Sequence, residues 1–289
     1  MSPEHKTILI NELKVDRVVG VWGDGLNDCG ALRVADISIA IGESNEGSLV
    51  STFTSKSNNL GSVPNILLQG RAFAELSFDL FKLLMIYLSI KVVIFGVLYQ
   101  SLFDLNDSII IYCDIFWIML MSIMIWSAPP KTKLSQSNPT TSLISITVFM
   151  NIIGQIIIQL SCIFGVYRML QTKRFDLQSH LPLNNHIHDY ETTTIFLFSL
   201  PQYIFISIAL YVSTNFRKPR FGIKTATLLI VAISVAYWNI VFPIPWIAQW
   251  LKAKDIKISI KLMLSWCTLF NGLLTLGYEL WISNYATQV

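Results

Sequence analysis

Charge is what this 289-residue chain has least of. Only 13% of its residues are Asp, Glu, Lys or Arg, against about 25% in ordinary soluble domains. That shortage argues against a soluble enzyme. The net charge of +3 is too small to imply a nucleic-acid partner. Cysteine is also scarce. Cys29, Cys113, Cys162 and Cys267 share no pair spacing, which excludes a disulfide framework and a zinc-ligand pattern. No apolar h-region follows Met1–Lys6, so no signal peptide is expected there.

Hydrophobic residues fill the space that charge leaves, at 53% of the chain with a mean hydropathy of +0.55. A large share of the charged residues falls within residues 1–82. Beyond them lie six long apolar segments, near Phe81–Phe103, Ser108–Ala128, Ser142–Tyr167, Thr192–Thr214, Thr225–Ala248 and Ile258–Ile282. Each approaches or exceeds the ~20 residues that span a hydrocarbon core of ~30 Å. Backbone hydrogen bonding in lipid makes them helices. Pro243 and Pro245 are expected to kink or end the fifth. Trp238, Trp246, Trp250, Trp266 and Trp281 cluster near segment ends, as interfacial aromatics do. Six crossings return the C-terminus to the side of the N-terminus, which is expected to be cytoplasmic. Lys131, Lys133, Arg217, Lys218, Arg220 and Lys224 fall on that side. Lys173, Arg174, Lys252, Lys254 and Lys257 fall opposite, a bias too small to fix orientation.

Gly23-Asp24-Gly25-Leu26-Asn27-Asp28 carries the chemistry. It follows the apolar run Val18–Val21 and precedes a helix-like stretch, Cys29–Ala35. That order is strand, Gly-rich turn, helix start. Glycines are expected to fold the backbone there at φ values other residues resist. Asp24 and Asp28 are hard oxygen ligands suited to Mg²⁺ and, through it, to phosphate. The adjoining helix start offers backbone N–H groups to an anion. The structural alternative is a tight loop with an Asp helix cap.

Residues 1–65 form an α/β piece in this pattern. Pro3 suits a helix start, and Ile8, Leu9 and Leu13 make one apolar helix face. Val18–Val21 and Ile37–Ile41 are the two expected strands, the second closed by Gly42. The order fits the end of a doubly wound parallel sheet. Two strands and two helices bury too little apolar surface to stand alone in water.

Several polar residues fall inside the apolar segments. Asp114 lies mid-segment in Tyr112-Cys113-Asp114-Ile115-Phe116, where an ionisable group implies either a cation path or a paired partner. Lys91, one helix away, supplies that partner in the structural alternative. Tyr87 offers a cation–π face for an amine. Lys82 either couples the soluble piece to the bundle or snorkels to the interface. Asp104 and Asp107 fall in a tight outer turn. His180, His186 and His188 share an outer loop with Asp189, at a spacing that fits no zinc pattern. Asn151, Gln155 and Gln159 recur on one helix face, to glue helices together or to line a polar groove.

Gly-Asp-Gly-x-Asn-Asp, an apolar strand and then six membrane segments resemble the C-terminal part of a P-type ATPase. Cys29-Gly30-Ala31-Leu32, Phe53-Thr54-Ser55-Lys56, Ser62-Val63-Pro64, Gln69-Gly70-Arg71-Ala72, Phe81-Lys82 and Asp114 occur in the order seen in the fifth class, polyamine-transporting branch. These motifs cover most of residues 1–130. Leu26 departs from the usual small residue, and Gly42–Asn45 is closer to P-type ATPases in general. The fold implied is a mainly α-helical membrane protein. Residues 1–65 are the end of a haloacid-dehalogenase-like, Rossmannoid phosphorylation domain, 66–80 a linker or stalk, 81–283 a six-helix transmembrane domain, and 284–289 a tail.

The resemblance also implies roles. Asp24 ligates Mg²⁺, and Asp28 shares or supports that metal site or holds the catalytic water network. Asn27 bonds phosphoryl oxygens, and Lys6 neutralises the transferring phosphoryl group; the structural alternative for Lys6 is a solvated lysine. Asp114, Tyr87, Lys91 and Tyr112 are the transport-path candidates. Lys91 stands where the polyamine branch has a neutral polar residue; a fixed positive charge there would repel a polycation, so either it acts as an internal counter-ion or the cargo differs. The implied function is ATP-driven transport of a cation, polyamine above others, through an aspartyl-phosphate, with ATP as substrate and membrane lipid as surroundings. Relatives in the branch sit in endosomal, lysosomal or vacuolar membranes. The family's phosphorylated aspartate lies in Asp-Lys-Thr-Gly, and no Asp here is followed by Lys-Thr. The chain is therefore expected to be a fragment, inactive alone, whose partner is the N-terminal part of the same pump. The alternative is a non-catalytic membrane protein that regulates or associates with a full-length pump. A membrane-tethered phosphatase also needs the nucleophilic aspartate and is disfavoured.

Overall fold

The computed structural model describes residues 1–42, 47–56, 60–100, 107–135, 142, 145–178, 186–218 and 256–286. The chain divides into two compact units, Met1–Gly70 and Arg71–Val289.

The first unit opens with α1 (Pro3–Lys14). Ser2 caps it by accepting from the His5 N–H, Pro3 takes the first turn, and Glu4 and Lys14 complement the helix dipole. Strand β1 is Gly20–Gly23, two residues later than the apolar run predicts. The reason is Asp36. Its carboxylate accepts from the Val19 N–H at 2.9 Å, so Val19 is held before the ladder begins. A 3₁₀ turn (Leu26–Asp28) and α2 (Cys29–Val34) lead to β2 (Ile37–Ile41). A short α3 (Gly47–Val50) precedes a third strand, β3 (Phe53–Ser55), which corrects the expectation of two strands. The sheet is parallel in the order β1-β2-β3, with Gly20 opposite Ile37 and Ile39 opposite Phe53. Ser38 and Thr52 exchange reciprocal hydrogen bonds at 2.8 and 2.9 Å, which bring the chain alongside β2 just before β3. Gly42 ends β2 at φ 93°, a conformation that favours glycine. Ala31 and Leu32 of α2 and Ile39, Ala40 and Ile41 of β2 are buried together as the core.

Helix α4 (Ser62–Gln100) has 39 residues, about 58 Å at 1.5 Å per residue. That is nearly twice a hydrocarbon core. Residues 66–80 are thus continuous helix. After it, α5 (Asp107–Ile111), a π-helical turn (Tyr112–Trp117) and α6 (Ile118–Trp126) make one span. Then come α7 (Ile146–Gln178), α8 (His186–Val212) and α9 (Ile258–Ala286). Among the described residues, five helices are long and apolar enough to cross a membrane. The sixth expected segment, Thr225–Ala248, lies outside the described residues, as do Asp104, His180 and the tail from Thr287. His186, His188 and Asp189 fall on α8 rather than in a loop, because the helix begins before its apolar span.

Helix α8 is the hub of the second unit. Of its apolar window 83% is buried, against 28–35% for the other four. Those four therefore present most of their apolar surface outward, as lipid-facing helices do. Small residues bring helices close. A Cβ on Gly154 of α7 would overlap the Tyr278 hydroxyl of α9, which donates to the Met150 carbonyl at 2.8 Å.

Candidate functional site

The acidic turn leaves the carboxyl end of β1, the edge where open parallel sheets bind ligands. Asp24 and Asn27 are exposed on it, and Asp28 is half-buried. Asp28 is brought to Lys6 of α1, Nζ to Oδ1 at 2.6 Å. The same carboxylate lies against Gly23. A Cβ there would stand 2.8 Å from Asp28 Oδ2 and 2.9 Å from its Cβ, so close approach keeps position 23 a glycine. This corrects the sequence expectation. Neither Gly23 nor Gly25 has positive φ, and Gly25 sits at −123°. Gly30 is fixed in the same way, since a Cβ would come within 2.9 Å of Thr7 Oγ1 on α1.

Two features flank the turn. Lys14 pairs with Asp36 at 3.0 Å. The Val19 N–H foremost, and then Lys14, hold the Asp36 carboxyl below its ordinary value of 3.8. A polar cavity of about 540 Å³ opens beside β3, lined by Thr54, Lys56, Ser62, Asn65 and Gln69 among others, and includes no residue of the acidic turn. Among the described residues, no group of three or more His, Cys, Asp or Glu is placed to hold a metal.

Within the membrane unit, Asp114, Lys91 and Tyr87 come together. Asp114 lies in the π-helical turn, where the Ile118 N–H bonds back five residues to Cys113. Such turns are rare and recur at functional sites. Lys91 Nζ binds both Asp114 oxygens, at 2.6 and 2.7 Å. The Tyr87 hydroxyl donates to the same carboxylate, and its ring lies 5.5 Å from the ammonium. Tyr87 also packs edge-on against Tyr203 of α8. Tyr112, in the same turn, packs edge-on against Trp117 and Phe196 at 6.2 Å.

Two buried networks were not assembled from the sequence. Arg217, only 1% exposed, follows α8 and reaches Asp79, Glu75 at 3.3 Å and the Ile125 carbonyl at 2.6 Å. Glu75 also accepts from the consecutive backbone N–H groups of Asn215, Phe216 and Arg217. Lys82 bonds Asp79 at 3.1 Å with 15% of its side chain exposed, so it is not extended into solvent. The signal available was Glu75 and Asp79, four residues apart on one helix face. The second network joins α7 to α9. Asn151 and Gln155 donate to Glu279 at 2.7 and 3.0 Å, and Gln159 to Thr275 at 2.8 Å. The glue reading of these three residues accordingly describes them well.

Comparison with known proteins gives 33% identity over 246 residues to polyamine-transporting ATPase 13A3 of Macaca fascicularis, covering 76% of this chain and 20% of that protein. The chain belongs to the fifth class of P-type ATPases. Polyamine-transporting ATPase 13A2 of Mus musculus is 29% identical over 222 residues, 76% of this chain and 19% of that protein. Vacuolar cation-transporting ATPase YPK9 of Saccharomyces cerevisiae is 30% identical over 221 residues, 76% of this chain and 15% of that protein. No family model matches the chain. The P-type ATPase chain thus spans about a fifth or less of the length of these relatives. It is an integral, multi-pass membrane protein.

Proposed function

We propose that this chain is the C-terminal part of an ATP-driven cation pump that works through an aspartyl-phosphate intermediate, with polyamine as the favoured cargo. The observation that carries the proposal is the similarity to polyamine-transporting ATPases over 76% of the chain, read with the acidic turn at the carboxyl end of β1. The phosphorylated aspartate and the nucleotide-binding domain would come from the rest of the pump. The first unit would then be the closing segment of a haloacid-dehalogenase-like domain.

The residues of the turn fit a magnesium site. Mg²⁺ keeps several waters and takes one or two carboxylates, and the exposed Asp24 suits that role. Asp28 already bonds Lys6 through Oδ1, so it supports the site by orienting Lys6 and by receiving a proton or a water. Bound Mg²⁺ would supply charge against the phosphoryl oxygens. Lys6 would place a second positive charge beside them, and Asn27 would donate its amide.

Cargo would meet Asp114. Its carboxylate is already neutralised by Lys91, so an arriving ammonium must displace a tethered one. Lys91 would therefore act as an internal counter-ion that occupies the site between cargo molecules. Tyr87 offers a ring to either cation.

The test is Asp114→Asn in the intact pump. Cargo-stimulated ATP hydrolysis should disappear, and unchanged stimulation refutes the role. The chain expressed alone should incorporate no phosphate from ATP. A second reading is a non-catalytic partner of a full-length pump. Co-purification with such a pump, in cells making both, would select it.

A further inference from the structure

Glu279 of α9 is 2% exposed inside the membrane unit. Every group that bonds it donates. Asn151 Nδ2 and Ser213 Oγ reach Oε1 at 2.7 and 3.3 Å, and Gln155 Nε2 reaches Oε2 at 3.0 Å. All three donors are neutral. Lys82 is within electrostatic reach, yet its ammonium is bonded to Asp79 at 3.1 Å. Arg217 is likewise taken up by Glu75 and Asp79. Among the described residues, Glu75, Asp79 and Glu279 thus face two cations, one fewer than the carboxylates. An uncompensated buried charge costs several kcal/mol.

A second observation is independent of charge. Asn151 Oδ1, Gln155 Oε1, Gln202 Oε1 and Asn271 Oδ1 are buried without a hydrogen-bond partner. Their residues are at most 2% exposed. All four atoms are acceptor oxygens, so what this region lacks is a donor or a cation. Two of them belong to the amides that hold Glu279. An amide's oxygen and nitrogen are about 2.2 Å apart. Each unpaired oxygen therefore lies within about 5 Å of the carboxylate. Oxygen ligands of one hard cation stand about 2.3–2.6 Å from it, and hence at most about 5 Å from each other. A half-turn of either amide exchanges nitrogen for oxygen at the carboxylate, as an arriving cation requires.

We infer that Glu279, Asn151, Gln155 and Ser213 form a binding site for an alkali cation between α7, α8 and α9. One carboxylate among neutral oxygens matches a monovalent ion; calcium sites draw on more carboxylate ligands. The site continues through Thr275 and Gln159 to Asn271. From Glu279 to Asn271 is eight residues of helix, about 12 Å. That polar file gives the ion a route along the bundle. Water would satisfy the oxygens but leave the charge unbalanced.

The test uses the full purified chain in lipid nanodiscs and needs no ATP, so it is independent of the pump assignment. Melting is followed in sodium, potassium and choline chloride at equal ionic strength. Sodium or potassium should raise the melting temperature by a few degrees, saturably. Radioactive sodium or rubidium should bind at about one ion per chain. Glu279→Gln should lose the cation response and melt no lower than the wild type in choline, because it removes a buried charge. Ser213→Ala, a milder change, should weaken the apparent affinity about tenfold. The proposal is overturned if the wild type melts alike in all three salts and binds no ion, or if Glu279→Gln responds as the wild type does.

Discussion

Two Lys–Asp pairs of equal length sit in different solvents. Lys6 and Asp28 meet at 2.6 Å in the α/β unit; Lys91 and Asp114 meet at 2.6 Å between membrane spans. Their separations along the chain, 22 and 23 residues, are nearly the same. When the first pair breaks, water solvates both partners, and the net contribution is about 1 kcal/mol or less. When the second loses a partner, hydrocarbon offers no replacement. Geometry alone therefore does not set the worth of an ion pair.

The largest expected break lies at a third pair, more buried than either. Arg217→Ala would remove the guanidinium shared by Glu75 and Asp79, leaving Asp79 to Lys82 and Glu75 to backbone N–H groups, at a cost of about 3–5 kcal/mol. Denaturant or thermal unfolding in detergent measures it, and a loss under 1 kcal/mol would place water in that network. The comparison itself is sharpened by paired substitutions. Lys91→Ala should destabilise by about 2–3 kcal/mol, and Lys6→Ala by no more than about 1 kcal/mol. Equal losses would mean that Asp114 is as well hydrated as Asp28. The smallest effect is one of pH. The carboxyl of Asp36 is held below 3.8 in the folded chain. Its contribution is thus complete above that value and fades as pH falls through the lower folded one. Asp36→Asn should flatten the stability profile below pH 3.8, while leaving its shape at neutral pH unchanged.

What the sequence disclosed was local. The strand–turn–helix around Asp24 and the apolar spans follow from short-range pattern; the former and five of the six spans recur in the structure, and the sixth lies outside the described residues. β3 escaped because Phe53-Thr54-Ser55 is too short to show a period; its place is set by the Ser38–Thr52 exchange across 14 residues. The start of β1 moved because a side chain 17 residues away claims the Val19 N–H. Arg217 looked like a loop cation because its partners lie about 140 residues upstream. The polar face of Asn151, Gln155 and Gln159 was visible, but Glu279 had no periodicity to announce it. Lys91–Asp114 was legible in outline, since two opposite charges in adjacent spans have few other partners.

The π-helical turn at Tyr112–Trp117 has a mechanical corollary. A wide turn of this kind holds one residue more than an α-turn, and so behaves as a built-in insertion. Removing one residue there would let the span relax to uniform α-helix with both flanks still facing as before, because the wide turn had already absorbed the extra residue. The change would fall on the turn itself, from which Asp114 meets Lys91, so a single-codon deletion would shorten one span by one residue and disturb the charge pair while the flanking faces stayed in place.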